Sequence, residues 1–164
     1  MSNNKTQIIA EPGKQELFII REFDAPRELV YRAFSEAEFI TQWMGPCDMT
    51  CRIEKHDNHS HGSWRYIHTD TKGNEYAFNG VIHEVCPPER VIRTFEFEGL
   101  PEKGHVSLEF LTLEPLANNR TKTVIHVIYK TVMDRDGHVM SGMERGVQEG
   151  HQRLDELLAR LSGK

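Results

Sequence analysis

Apolar side chains recur at every second position through the middle of the chain, from residue 47 to residue 131. A period of two places alternate side chains on one face of a strand, so this stretch predicts strands. The pairs Pro87-Pro88 and Asn118-Asn119 mark turns between runs. The pattern therefore predicts six short strands in an antiparallel meander.

Aromatic residues concentrate on these predicted strands. They are Trp64, Tyr66, Tyr76, Phe78, Phe95, Phe97 and Phe110. The set exceeds what an amphipathic sheet needs, and tyrosine and tryptophan carry polar groups that require partners when buried. We therefore expect these side chains to line a ligand site, with plain core packing as the alternative for each of them.

Apolar residues at helical spacing follow a first strand, which is predicted at residues 17–23. Asp24 is suited to cap a short helix, with Pro26 in its first turn. Ser35 is suited to cap a second short helix that runs through Trp43, and the next residues, Gly-Pro, would end it. The order strand, helix, helix therefore precedes the meander.

A long C-terminal helix is predicted from about Val139 to Leu161, after a turn at residues 134–137. Its apolar positions, which include Met143, Val147 and Leu154, recur at steps of three and four, so one face should pack on the sheet. A helix layered on an antiparallel sheet makes the chain an α+β protein.

Three glycines interrupt this helix at intervals of four residues: Gly142, Gly146 and Gly150. Each costs about 1 kcal/mol relative to alanine inside a helix, so their presence needs a reason. They either let the helix approach its neighbours closely or leave a hollow beside it. His151 lies next to this stripe, and both a satisfied buried imidazole and a ligand contact remain open for it.

Composition bounds the class of protein. A chain of 164 residues and 19.0 kDa fits one domain, which we place at residues 15–162 after a flexible tail at residues 1–14. The net charge is -5, and acidic and basic residues are interspersed, so the sequence shows no basic patch for binding nucleic acid. No apolar run would insert into a membrane, and residues 1–6 do not resemble a signal peptide, so a cytoplasmic protein is expected.

Cysteine and histidine give little sign of a cofactor or metal. Cys47, Cys51 and Cys86 cannot all pair and are expected to be reduced. A hydrophilic loop at residues 54–63 contains His56, His59 and His61; we favour a solvated loop over a metal site, because no fourth ligand or defined geometry is evident. No cofactor is predicted.

Catalytic motifs are absent from the sequence. Ser141 lacks the flanking glycine of a nucleophile elbow, and no dinucleotide or phosphate-binding glycine loop is present. Glu54, Glu84 and Glu109 are expected on solvated outer faces of strands, although each could serve as a general acid. We therefore assign no catalytic residue.

Several short motifs, taken in order, resemble one known family. They comprise residues 23–26, 43–46, 62–65, 78–80, 84–91, 141–143 and 153–158, together with Val30, Phe34 and Gly146. In this order they resemble the Activator of Hsp90 ATPase homologue (AHSA1) type of the START-like superfamily, also called SRPBCC or Bet v 1-like, over about residues 16–161. The longer histidine-rich loop before Trp64 departs from the pattern of similar proteins.

The resemblance implies a helix-grip fold, in which a curved antiparallel sheet of about six to seven strands wraps around the long C-terminal helix and encloses an apolar pocket. Members of the wider superfamily bind lipids, sterols, polyketides and plant hormones, and some are cyclases or hydrolases. No residue role transfers with the resemblance.

We therefore expect a carrier or sensor that holds a hydrophobic or amphipathic small molecule between sheet and helix, oriented by His151 or a tyrosine hydroxyl. The alternatives are a cyclase or hydrolase using the same pocket, or a chaperone-linked stress-response protein. A homodimer is an open option. The expected ligand contacts are Trp43, Trp64, Tyr66, Tyr76, Phe78, Phe95, Phe97, Phe110, Met143, Val147, His151 and Leu154.

Overall fold

Eight strands form one antiparallel sheet in the computed structural model, which describes residues 4–163. They are β1 Gln7–Ile9, β2 Glu16–Phe23, β3 Thr50–His56, β4 Ser63–Thr69, β5 Glu75–Cys86, β6 Arg90–Phe97, β7 Val106–Leu116 and β8 Arg120–Ile128. Their order across the sheet is β1-β2-β8-β7-β6-β5-β4-β3, so β3 to β8 form the predicted meander and β2 closes it at β8. The predicted α+β class is confirmed.

Four helices accompany the sheet in the described part of the chain: α1 Arg27–Ser35, α2 Ala37–Trp43, α3 Val132–Met140 and α4 Met143–Leu161. The two short helices and the long C-terminal one are confirmed. Asp24 and Ser35 do not cap them, because Pro26 and Glu36 hold the N-cap positions without side-chain bonds. In residues 4–163 no helix has both the length and the apolar character needed to cross a membrane.

The turn predicted at residues 134–137 is wrong, because these residues lie inside α3. Thr131 caps that helix, its hydroxyl accepting from the Asp134 backbone N–H at 3.0 Å. The long helix begins at Met143, four residues later than predicted. Gly142 is its N-cap with φ of 88°, a left-handed conformation that glycine adopts without strain.

The segment predicted as a flexible tail contains β1. Its residues pair with β2 in a register that sets Ile8 opposite Ile19. Before the strand, the Thr6 hydroxyl lies 2.7 Å from Nδ1 of His151 on α4. From residue 4 onward, this part of the chain is therefore bonded to both sheet and helix. Residues 1–3 of the predicted tail lie outside the described residues.

The hydrophobic core joins α1, α2 and α4 to one face of the sheet, which we call the inner face. On α4, Leu154, Leu157 and Leu158 are buried in the same cluster as Phe23 and Trp43. Full burial of one leucine contributes about 1.5–3 kcal/mol, so this contact is a main source of stability. The predicted grip of sheet on helix is thus seen in the packing.

The glycines of α4 face the loop that follows α2. A Cβ atom at Gly150 would lie 3.1 Å from the carbonyl oxygen of Trp43, and one at Gly146 would lie 3.5 Å from the ring of Pro46. Arg153, one turn on, donates to the carbonyl oxygens of residues 44–46. Gly150 therefore serves close packing against this loop. A Cβ at Gly146 would make only an ordinary contact, and Gly142 has nothing within 4 Å of its Cβ position.

Candidate functional site

Six of the predicted aromatic contacts lie together on the inner face of β4, β5 and β6. We call them the aromatic face: Trp64, Tyr66, Tyr76, Phe78, Phe95 and Phe97. Phe95 is central, with ring centroids 5.9 Å from Trp64 and 5.5 Å from Phe78. Phe78 in turn lies 5.2 Å from Phe97. Alternation predicted the aromatic residues of each strand on one face of that strand, and the structure brings the three sets together on the inner face.

Burial divides the aromatic face into a floor and an accessible layer. Trp64 and Tyr66 are 1% and 3% exposed and form the floor with Ile40 of α2. The rings of Phe78, Phe95 and Phe97 are half-buried and keep part of their surface open to solvent. Three phenylalanine side chains of the aromatic face are therefore only partly covered by the rest of the protein.

Gly80 makes room for the floor. A Cβ atom at this position would overlap the Thr94 carbonyl oxygen and lie 2.5 Å from Nε1 of Trp64. Because those neighbours are backbone and a buried ring, any larger residue would have to move the strand or the indole. The absent side chain lets Trp64 lie flat across β5.

An ion pair is built into the inner face beside the floor. Nε of Arg93 donates to Glu109 at 3.2 Å, and Nη1 donates to the Tyr66 hydroxyl at 3.4 Å. The guanidinium also lies 4.2 Å from the Trp64 ring centroid, in cation–π geometry. Burial lowers the pKa of Arg93, but the charge of Glu109 and the bond to Tyr66 outweigh it, so the pKa is raised and the cation is kept.

A polar relay continues from this ion pair toward α1. Nε2 of His56 lies 2.6 Å from the Ser35 carbonyl oxygen, which can only accept, so Nε2 carries the proton. In the neutral ring Nδ1 then accepts from the Tyr66 hydroxyl at 3.3 Å. Tyr66 thus accepts from Arg93 and donates to His56, and burial raises its pKa, which keeps the hydroxyl protonated.

Helix α3 supplies the wall above the aromatic face. The His138 ring stacks on Phe95 with centroids 5.8 Å apart and planes at 17°. Its Nδ1 is hydrogen-bonded to the hydroxyl of Tyr129. Burial lowers the pKa of His138, with the Glu109 charge opposing, and burial raises the pKa of Tyr129. Both groups are therefore neutral at pH 7.

Other predicted contacts lie in the core rather than on the aromatic face. Trp43 donates from Nε1 to the Ala33 carbonyl oxygen at 2.9 Å. His151 is 4% exposed between Phe23 and Trp43, with centroids 5.5 and 6.4 Å away. Burial, with the charge of Arg21, lowers its pKa to about 3. His151 and its core neighbour Leu154 are thus packed within the body of the protein.

Met143 and Val147 pack on a separate cluster at β2 and β8 that contains Leu17 and Val127. Phe110 lies on the outer face, opposite His126 in the register and 6.1 Å from its ring centroid. Strand β7 is apolar on both faces, so alternation did not decide which set points inward. The structure therefore does not bring Phe110 to the other aromatics.

Because β7 is apolar on both faces, Glu109 was also assigned to the wrong side: it was expected on an outer face and instead points inward. Arg93 lies two residues before Phe95, so alternation along β6 puts the two on one face and could have identified Arg93. His138 carried no such signal, because its helix was predicted as a turn and the start of the long helix. Glu54 and Glu84 do lie outside, where they pair with Arg65 and Arg90.

The histidine-rich loop does not form a metal cluster. His59 and His61 are exposed, whereas His56 turns inward to Ser35. Across residues 4–163 the structure contains no group of three or more His, Cys, Asp or Glu arranged to hold a metal ion. The three cysteines are free thiols; Cys47 is exposed, and burial raises the pKa of Cys51 to about 11.

Two surface depressions lie away from the aromatic face. One, of about 460 Å³, is lined by residues of α3 and α4 such as Met140 and Arg145. The other, of about 490 Å³, lies beside Lys5 and Lys122 at the β1 edge. Both are polar and open, so neither has the aromatic lining expected of the ligand site.

Comparisons with known proteins agree with this architecture. The family model described as Activator of Hsp90 ATPase homolog 1-like protein matches residues 24–159. A crystal structure of a protein from Rhodobacter sphaeroides has a TM-score of 0.84 at 25% identity, covering 95% of this chain and 99% of that one. The AHSA1 protein from Silicibacter pomeroyi has a TM-score of 0.71 at 22% identity, with coverage of 88% and 97%. No curated protein matches.

Proposed function

The chain belongs to the Activator of Hsp90 ATPase homolog 1-like family, and from that premise we propose that it binds a hydrophobic or amphipathic small molecule on the aromatic face, as a carrier or sensor. The observation that carries the proposal is the layer of three phenylalanine rings, Phe78, Phe95 and Phe97, which stay partly open beside the buried floor of Trp64 and Tyr66. Partly exposed aromatic rings that lie side by side on one face offer a surface that a small apolar ligand can cover.

The aromatic face suits a ligand of modest size. A flat two-ring molecule that loses roughly 200 Å² of apolar surface gains about 5 kcal/mol at about 25 cal/mol per Å². This corresponds to a dissociation constant on the order of 0.1–1 mM before any hydrogen bond is added. The proposal puts the ligand on the inner face of β4 to β6 rather than in the space beside His151 that was expected from the sequence.

A matched pair of variants tests the proposal. We expect Phe95→Leu to weaken the binding of 2-acetylnaphthalene roughly threefold to tenfold, because the central ring contact is lost. Phe110→Leu is the control, since it makes the same change on the outer face of the sheet. Both would be measured by two-dimensional NMR titration. Equal affinities in the two variants, or no binding by the native protein, would contradict the proposal.

A cyclase or hydrolase is the second candidate, and one observation favours it. His138 and Tyr129 form a hydrogen-bonded neutral pair beside Phe95, which is the kind of acid–base group that such an enzyme needs. Hydrolysis of 4-nitrophenyl butyrate that is lost in His138→Gln, with naphthyl binding kept, would support this candidate.

Four further expectations stay predictions: a cytoplasmic location, a homodimer, the absence of a cofactor and a chaperone-linked role. The last is suggested by the family's name alone. They do not affect the choice of the aromatic face.

A further inference from the structure

The polar groups beside the aromatic face carry no net charge at pH 7. Arg93 and Glu109 are oppositely charged partners whose side chains are 22% and 17% exposed. Tyr66, Tyr129 and His138, the titratable groups that contact or flank them, are neutral at pH 7. A molecule bound on the rings therefore meets a dipole with a positive end at Arg93.

Arg93 has donors to spare. A guanidinium carries five N–H bonds, and this one uses one at Nε for Glu109 and one at Nη1 for Tyr66. Nη2 has no hydrogen-bond partner in the described part of the chain. The side chain as a whole is 22% exposed, so it is not sealed from a molecule bound on the neighbouring rings. Glu109 and the Trp64 ring hold the guanidinium in place, so little ordering is needed on binding.

From these two features, and resting on the proposed function, we infer that the site selects an uncharged aromatic ligand that bears a carbonyl oxygen. The carbonyl accepts from the spare N–H groups of Arg93 while the rings lie on Phe78, Phe95 and Phe97. A carboxylate in the same place would lose its hydration and face Glu109 as well as Arg93, so its attraction and repulsion offset each other. A hydrocarbon would leave the donors unpaired.

Three ligands of one shape separate these cases: 2-acetylnaphthalene, 2-naphthoate and 2-isopropylnaphthalene. We expect the ketone to bind at least roughly tenfold more tightly than the other two, the usual effect of one hydrogen bond from a charged donor. Two-dimensional NMR titrations at pH 7.5 would give the three dissociation constants. Affinities within threefold of one another, or a tighter naphthoate, would overturn the inference and leave the proposed function standing; no binding of any of the three would overturn both.

Glu109→Gln gives a sharper test, because it removes the compensating charge and leaves Arg93 unpaired. The preference should reverse, so that naphthoate binds more tightly than the ketone. Glu114→Gln is the matched control, since Glu114 is an exposed carboxylate on the outer face of the same strand. An unchanged preference in Glu109→Gln would overturn the inference.

A double variant guards against misfolding. Replacing the pair with hydrocarbon, as Arg93→Leu with Glu109→Leu, leaves no unpaired buried charge, and such replacements are commonly tolerated. The double variant should bind 2-isopropylnaphthalene at least as well as the native protein and lose the preference for the ketone. A retained preference for the ketone would show that Arg93 is not the recognising group.

Discussion

His151 shows how a single buried side chain is held neutral. It is 4% exposed, flanked by two aromatic rings, and bonded through Nδ1 to the Thr6 hydroxyl. Burial is the larger cause of its low pKa and the charge of Arg21 the smaller. Arg21 is itself paired with Asp155, whose pKa burial raises. The imidazole therefore belongs to a polar cluster inside the core.

The free energy of unfolding should depend on the protonation of His151. Its pKa is about 3 in the folded chain and about 6.5 unfolded, so below pH 6.5 the unfolded state binds the extra proton. Stability from this residue is complete above pH 6.5 and falls toward pH 3 with a slope of up to about 1.4 kcal/mol per pH unit. Urea unfolding between pH 4 and 7 measures the slope.

His151→Gln should flatten that pH dependence, because the amide can still bond Thr6 but does not titrate. His59→Gln on the exposed loop is the control and should leave the slope as it is. The same slope in His151→Gln and native protein would mean that other groups cause the acid sensitivity.

At the scale of elements, α4 packs closely against the loop after α2 because Gly150 has no side chain at the contact. Gly150 approaches the Trp43 carbonyl oxygen, and Arg153 binds the carbonyl oxygens that follow. These carbonyl groups lie at the C-cap of α2 and just beyond it, and Arg153 supplies them with a charged donor near the C-terminus of the helix. The contact is backbone against backbone and tolerates little added volume at Gly150.

Two glycine-to-alanine variants of α4 should change the free energy of unfolding in opposite directions. Gly146→Ala adds a Cβ at an ordinary 3.5 Å from Pro46, so the gain in helix propensity should stabilise the protein by about 0.5–1 kcal/mol. Gly150→Ala sets its Cβ 3.1 Å from a fixed carbonyl oxygen and should destabilise it. Thermal unfolding of the pair is the measurement, and equal shifts would disprove the close approach at Gly150.

At the scale of the whole molecule, the N-terminal segment closes the sheet against the C-terminal helix. Strand β1 extends the sheet beyond β2, and Ile8 packs against the buried cluster at β2 and β8 on which Met143 and Val147 also pack. The Asn4 carbonyl oxygen accepts from buried Arg21. Asn4 and Arg21 are 17 residues apart, whereas Thr6 and His151 are separated by 145. We therefore expect the segment to become fully ordered only when α4 is in place.

Adjacent isoleucines of β1 test this closure. Ile8→Ala removes a side chain from the inner cluster and should cost about 1–2 kcal/mol, less than full burial would give. Ile9→Ala, 41% exposed and pointing to the other face, should cost no more than about 0.5 kcal/mol. Urea titrations would compare the two, and equal small losses would show that the segment is not anchored.

The sequence pattern predicted the orientation of side chains correctly in strands whose apolar residues lie mainly on one face. Alternation placed Trp64, Phe78 and Phe95 on one face because their neighbours are polar. It failed at β7, where Leu108 and Phe110 point outward and Leu111 and Leu113 inward, so either face reads as apolar. It failed at α3 because Asp136 and Gly137 favour a turn locally, while the Thr131 cap and tertiary contacts decide for helix.

The contact between α4 and the loop at residues 43–46 also limits which substitutions such a chain can accumulate in evolution. Its partners are about one hundred residues apart in sequence, and a larger side chain at Gly150 would require a compensating change in the loop. Phe78, Phe95 and Phe97 have no comparable restriction, because they keep part of their surface open to solvent. Divergence should therefore concentrate there, so that relatives can acquire different ligands while the backbone arrangement persists.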